Sequence, residues 1–291
     1  MLKLMFITNN PFVAIEAEKA GVNRIFVDLE EYGKKERQGH LDTHITTHKI
    51  EDIIKIRKVL SRSELLVRVN PIHKESRQEI DNVIEMGADV IMLPMFKSKG
   101  EVEKFISLVN GRVKTCLLLE TPQALVRIRE IIEVKGIDEI HVGLNDLHLG
   151  MGLDFMFELI SGGIVDYLSN VLNQKGIDFG FGGIARVGEG FIPAELVIKE
   201  HVRLNSQMVI LSRKFLPERD QATSINDINL IKEIGRIREV EAAAHNRGNE
   251  EVEFDRKLFN EKVSTFVGNL NIPHVLKGDR LPNENFEYNH S

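Results

Sequence analysis

The stretch 116–152, CLLLETPQALVRIREIIEVKGIDEIHVGLNDLHLGMG, decides the fold. Leu117, Leu118 and Leu119 form a continuously apolar run that breaks at Thr121-Pro122, the pattern of a strand buried on both faces and ending in a loop. From 122 to 135 the apolar residues Leu125, Ile128, Ile131 and Ile132 recur at helical spacing, and Gly136 stops the helix ahead of a second apolar strand over 137–142. Two parallel strands joined by one crossover helix run the same way. Glu120 and Asp146, each placed by this reading at the end of its strand, are therefore expected to converge at one end of the sheet. Two hard oxygen ligands there suit a divalent cation.

Outward from this unit the alternation repeats. Strands are expected at 3–7, 24–28, 65–69, 90–93, 113–119, 137–142, 177–181 and 208–211. Amphipathic helices are expected near 11–21, 48–61, 74–87, 98–110, 122–135, 155–175, 193–205 and 219–245. Several of them end on a glycine, Gly21, Gly87, Gly111, Gly136 and Gly176, as a left-handed helix cap requires. Arg68, Pro94, Glu120 and Asp146 follow one another every 26 residues, about one strand, one helix and their loops. Eight such units, with no GxGxxG after the first strand, favour a closed (β/α)8 TIM barrel over a doubly wound sheet. Chemistry in such barrels sits at the C-terminal rim.

The 291 residues allow one barrel, 1–247, with a helical extension and tail over 248–291. In the extension, Phe254, Leu258, Phe259, Val263 and Phe266 form the apolar face of a further helix, expected to dock on its own barrel or on a neighbouring subunit of a homo-oligomer. With 38 basic against 44 acidic residues, a net charge of −6 and no basic block, nucleic acid is not an expected partner. The apolar start, MLKLMFIT, ends too soon for a signal peptide, and no run reaches a membrane span; a cytoplasmic protein is expected. The single cysteine, Cys116, reads as a buried strand residue. Residues 29–47 read as a long polar loop on the catalytic face, carrying Glu30, Glu31 and His40, while His44 and His48 read as loop and helix-cap residues.

Five motifs in order, FVDLE (26–30), VRVN (67–70), GADVIMLPM (87–95), LETPQAL (119–125) and VGLNDLHLGMG (142–152), resemble those of the HpcH/HpaI aldolase and citrate lyase family, metal-dependent barrels of the phosphoenolpyruvate/pyruvate superfamily. The resemblance spans roughly residues 20–155. It implies that Glu120 and Asp146 bind Mg²⁺ or Mn²⁺, and that Arg68 holds the enolate oxygen of a pyruvate-type substrate. It further implies that Asp28 and Glu30 position that arginine and metal-bound water, and that Pro94 closes a strand beside the bound 2-oxo acid. A cation and a guanidinium on one oxygen would stabilise the charge that forms as a C–C bond is made or broken.

Two departures bear on the substrate. Where the aldolase branch has a histidine beside the strand-two acid, this chain has Glu31; His148 and His40 are alternative bases. The segment 180–190, GFGGIARVGEG, differs from the family pattern, and the backbone of Gly182 and Gly183, with Arg186 or Arg213, could hold a carboxylate or phosphate. The expectation is a carbon–carbon lyase or aldolase acting on a 2-oxo acid or an acyl thioester, including malyl- or citramalyl-CoA types. Two alternatives stand beside it: an enzyme handling pyruvate, phosphoenolpyruvate or a related small acid in surface polysaccharide assembly, and a non-catalytic barrel subunit.

Overall fold

The computed structural model describes residues 1–31, 48–215 and 229–270. Eight parallel strands close into a barrel in sequence order: β1 (Lys3–Ile7), β2 (Arg24–Asp28), β3 (Glu64–Arg68), β4 (Val90–Leu93), β5 (Lys114–Leu119), β6 (Glu139–Val142), β7 (Asp178–Ile184) and β8 (Met208–Leu211), with β8 pairing back onto β1. The expected (β/α)8 barrel is the observed one. Four strands begin and end where the apolar runs place them; β3, β5 and β6 differ by one or two residues, and β7 runs on to Ile184.

Helices wrap the sheet: α1 (Pro11–Lys19), α2 (Ile50–Arg57), α3 (Ser76–Glu85), α4 (Lys99–Val109), α5 (Pro122–Val126), α6 (Ile128–Ile131), α7 (Leu144–Met151), α8 (Glu158–Ser161), α9 (Ile164–Lys175), α10 (Ala194–Arg203), α11 (Leu230–His245) and α12 (Asn249–Leu270). Their starts are written in the sequence. Asn10 caps α1 ahead of Pro11, Ser98 and Glu101 form a capping box on α4, and Thr121 caps α5 ahead of Pro122. All five glycines expected to end helices have positive φ. The single helix expected over 122–135 is instead two short ones broken at Arg127, whose φ of −96° and ψ of 8° leave the helical well. The part of the expected 219–245 helix before residue 229 lies outside the described residues.

Strand alternation sorts the barrel into two cores. Met5, Phe26, Leu66, Val90, Met92, Cys116, Leu118, Met208 and Ile210 fill the lumen, while the alternate positions pack outward on the helices. Cys116 is wholly buried and its thiol is pushed up by burial, as a lumen-filling residue should be. At the N-terminal end, the first residues of six strands make a charged floor. Arg24 meets Glu139 (2.7 Å) and Glu64 (2.5 Å), Lys3 meets Glu139 (2.9 Å) and Asp178 (3.2 Å), and Lys114 meets Glu64 (2.6 Å).

The helix α12 docks on its own barrel. Phe259 packs edge-on against Phe157, Phe266 packs at a tilt against Phe155, and Val263 joins the same core. One expected member of its apolar face, Phe254, is 67 % exposed. The neighbouring Asp255 is buried in its place, paired with Lys199 and Arg247 at 2.8 Å each. Among the described residues no helix is long and apolar enough to cross a membrane.

Candidate active site

Four units, those of β2, β3, β5 and β6, deliver one charged cluster to the C-terminal rim. Arg68, the last residue of β3, grips the Asp28 carboxylate through Nε and Nη2, both at 2.8 Å, and its Nη1 lies 3.4 Å from Glu30. Its guanidinium also sits 5.7 Å from the Phe26 ring centroid. Burial works against the charge, but Asp28 and Glu30, with Glu120 beyond them, hold Arg68 well above the usual guanidinium range.

Glu120 follows β5 and is buried. Its carboxyl is raised well above the ordinary range, first by desolvation and then by the charge of Asp146, against the opposing pull of Arg68. Among the described residues Met95 is its one backbone donor, N–H to Oε1 at 3.0 Å. Met95 pays for that with a φ of +53°, a left-handed backbone rare for a non-glycine residue and directly after Pro94, which is buried at the end of β4. Gly143 is the other half of the cradle. A Cβ there would sit 2.8 Å from Glu120 Cβ and 2.9 Å from Oε2, so no other residue leaves Glu120 in place.

Asp146 reaches the cluster differently from the expectation. It lies in the first turn of α7, a helix the sequence reading took for loop, because the Gly143 turn bends the chain at once from β6 into Leu144–Met151. The 26-residue spacing thus brings Arg68, Pro94, Glu120 and Asp146 to one rim, although Asp146 is a helix residue rather than a strand end.

The remaining expected residues are less concentrated. Glu31 is exposed, its N–H held by Asn70 Oδ1 at 2.9 Å, and its charge acts on Glu79 in the first turn of α3. His148 is buried on α7 with Nδ1 3.2 Å from the Leu144 carbonyl; since a carbonyl only accepts, Nδ1 carries the hydrogen and Nε2 the lone pair. Burial lowers its pKa. Gly182 adopts φ +50°, and a Cβ there would strike Leu144 Cδ1 at 2.7 Å; Gly183 pairs with Ile210 after a shift of register. Arg186 pairs with Glu189 at 2.8 Å. His40, His44 and the Arg213 side chain lie outside the described residues.

Sequence reasoning missed His48. It is buried, and its Nδ1 accepts the Asp28 backbone N–H at 2.9 Å, where β1 no longer pairs with β2. The sequence reading made it a helix cap, but Lys49 is the N-cap of α2, and a lone histidine two residues before that helix carries no periodic signal that would mark it as a buttress of the site. Gly143 and Met95 were equally invisible, since their part is to shape backbone.

Glu120 and Asp146 are a like-charged, partly desolvated pair, which a hard divalent cation would neutralise. Among the described residues no group of three or more His, Cys, Asp or Glu could enclose a metal ion. A cation held by this pair would keep open positions for water and substrate oxygens, as an oxygen-rich magnesium site does.

The structure resembles an HpcH/HpaI aldolase from Desulfitobacterium hafniense (TM-score 0.57, 15 % identity, covering 72 % of this chain and 85 % of that one). It also resembles an HpcH/HpaI aldolase/citrate lyase family protein from Burkholderia cenocepacia (0.55, 14 %, 72 % and 87 %) and the citrate synthase SbnG (0.55, 18 %, 72 % and 85 %). At such identities the likeness speaks for the fold. No curated protein matches the chain by sequence. Residues 3–156, which span β1 to the turn after α7 and hold Asp28, Arg68, Glu120 and Asp146, match the HpcH/HpaI aldolase/citrate lyase family, and the chain belongs to that family.

Proposed function

We propose that the protein is a divalent-metal-dependent carbon–carbon lyase that makes or breaks a bond to the enolate of pyruvate or a similar 2-oxo acid. The observation that carries this reading is Glu120, buried beside Asp146 and within the field of Arg68. Glu120 and Asp146 would hold Mg²⁺ or Mn²⁺, which when bound supplies Lewis-acid stabilisation of negative charge. Arg68 presents Nη1 to the enolate oxygen while Asp28 fixes its plane through Nε and Nη2. Asp28, held in turn by His48, and Glu30 are positioning groups. Proton transfer falls to His148, a neutral imidazole with its lone pair on Nε2, or to Glu31. Pro94 and the bare backbone of Gly182 and Gly183 border the space for the 2-oxo acid, with Arg213 as a further anion ligand. A cytoplasmic homo-oligomer is the assembly we expect.

The test is pyruvate release from a panel of 4-hydroxy-2-oxo acids and acyl thioesters, with and without EDTA, together with deuterium exchange into the pyruvate methyl group followed by NMR. Both activities should appear with Mg²⁺ or Mn²⁺ and vanish on chelation. Their absence across the panel would overturn the reading.

A further inference from the structure

A histidine sits among the apolar residues of the lumen. β6 alternates Glu139 on the floor, His141 above it and Gly143 at the rim, so His141 faces inward one layer below the mouth. It is wholly buried, and it feels Arg24 and Glu139 from the floor and Arg68 from the mouth. Its Nε2 lies 3.1 Å from the Gly182 carbonyl; a carbonyl only accepts, so Nε2 carries the hydrogen and Nδ1 the lone pair. Nδ1 finds no partner among the described residues. Burial keeps the ring neutral, with a pKa lowered to about 4.

An orphaned ring nitrogen is a cost that a phenylalanine or leucine filling the same space would not carry, so the reason for a histidine lies in its N–H. That N–H reaches a bulge. Between Gly180 and Gly183 β7 advances three residues while β8 advances two, from Met208 to Ile210. The ladder from β6 to β7 ends at Phe181, and His141 ties the next residue, Gly182, back to β6. Gly182, with φ +50°, in turn seats the start of α7: a Cβ there would strike Leu144 Cδ1 at 2.7 Å, so the first residue of that helix rests on bare backbone. Leu144 is buried, and Asp146 lies two residues on in the same turn.

We propose that His141 is a positioning residue for the metal pair: its Nε2–H fixes the bulge at Gly182, the bulge seats Leu144, and Leu144 sets the start of the helix that carries Asp146. This rests on the reading of Glu120 and Asp146 as ligands of a divalent cation. Met95 and Gly143 hold Glu120 on the other side of the pair, so the two ligands are placed by separate devices.

The experiment is calorimetric titration of Mg²⁺ into the full chain. His141→Phe keeps an aromatic ring in the lumen but loses the N–H, and should lower Mg²⁺ affinity at least about tenfold. His141→Gln places an amide N–H where Nε2 stood and should recover affinity to within about threefold of wild type. Leu144→Ala, further along the same path, should also weaken binding, and its effect should not add to that of His141→Phe. By linkage Mg²⁺ should strengthen the His141 bond, so the Nε2–H proton signal of the wild type should move downfield on Mg²⁺ saturation, a readout that needs no variant to fold. Folded His141→Phe with wild-type affinity, whatever its stability, would overturn the role. So would His141→Gln binding no better than His141→Phe, additive losses, or an Nε2–H signal indifferent to Mg²⁺. If the wild type binds Mg²⁺ and any of these appears, the positioning role alone falls; if it takes up no Mg²⁺, the metal pair and the role fall together.

Discussion

At the floor of the barrel Arg24 is wholly buried, yet Glu139 and Glu64 meet its guanidinium at 2.5–3.2 Å, and Lys3 and Lys114 compensate those acids in turn. At the mouth Glu120 is buried almost as deeply, but its neighbour Asp146 has the same sign. Similar residue types are therefore spent in opposite ways. On the floor each charge finds its complement and burial strengthens the pair; Glu139 is pulled down to about 2 by Arg24 and Lys3 although burial alone would raise it. At the mouth burial amplifies a repulsion that a bound ion would relieve. The contrast separates a closing device from a working one, in keeping with the division of labour between barrel ends.

The contrast breaks most visibly at Arg24. Arg24→Met leaves Glu139 and Glu64 without their shared partner, and denaturant unfolding should show a loss of about 3–5 kcal/mol. Calorimetric Mg²⁺ affinity should not change. If Mg²⁺ binding fell in step with stability, the two ends would not be independent.

Acid titration sharpens the same point. Glu139 has a folded-state pKa below its unfolded value, so its contribution is present above about pH 5 and is lost as pH falls towards 2. The stability gap between wild type and Glu139→Gln, about 3 kcal/mol at neutral pH, should close over that window when followed by urea unfolding at each pH.

Glu120→Gln should act in the reverse sense. It mimics the protonated carboxyl that burial and Asp146 favour, so metal-free stability should hold or rise, while Mg²⁺ affinity falls by at least a hundredfold, about 3 kcal/mol. In the wild type, Mg²⁺ binding through Glu120 would have to displace the proton that burial and Asp146 favour, so affinity should climb with pH. A pH-independent affinity would contradict the assignment. The smallest effect concerns α12. Phe266→Ala removes a ring packed 4.2 Å from Phe155 and 4.3 Å from Phe191, and should cost about 2 kcal/mol by thermal or urea unfolding without altering Mg²⁺ affinity.

Much of this architecture was legible in the residues. Apolar runs such as 117–119 and 90–93 mark strands because a parallel barrel strand is buried on both faces, and the 26-residue rhythm carries Arg68, Glu120 and Asp146 to one rim. The helix holding Asp146 was not legible, since LNDLHLGM lies between two glycines and offers too little length for a periodic signal. Nor was the floor: Arg24, Glu64 and Glu139 are single charges opening apolar strands, and only closure of the barrel shows that they meet. Phe254 misled because helical spacing fixes which residues share a face, whereas the Asp255 ion pairs with Lys199 and Arg247 set the rotation of α12.

The grip of Asp28 on Arg68 has a kinetic consequence. With Asp28, Glu30 and Asp146 around a single guanidinium, and Glu120 holding its proton, the mouth carries an excess of acids that would turn away an incoming anionic substrate. A divalent ion at Glu120 and Asp146 would lessen that barrier, so arrival is expected to follow a fixed sequence, ion before acid. Raising ionic strength should then slow loading of the first and speed entry of the second.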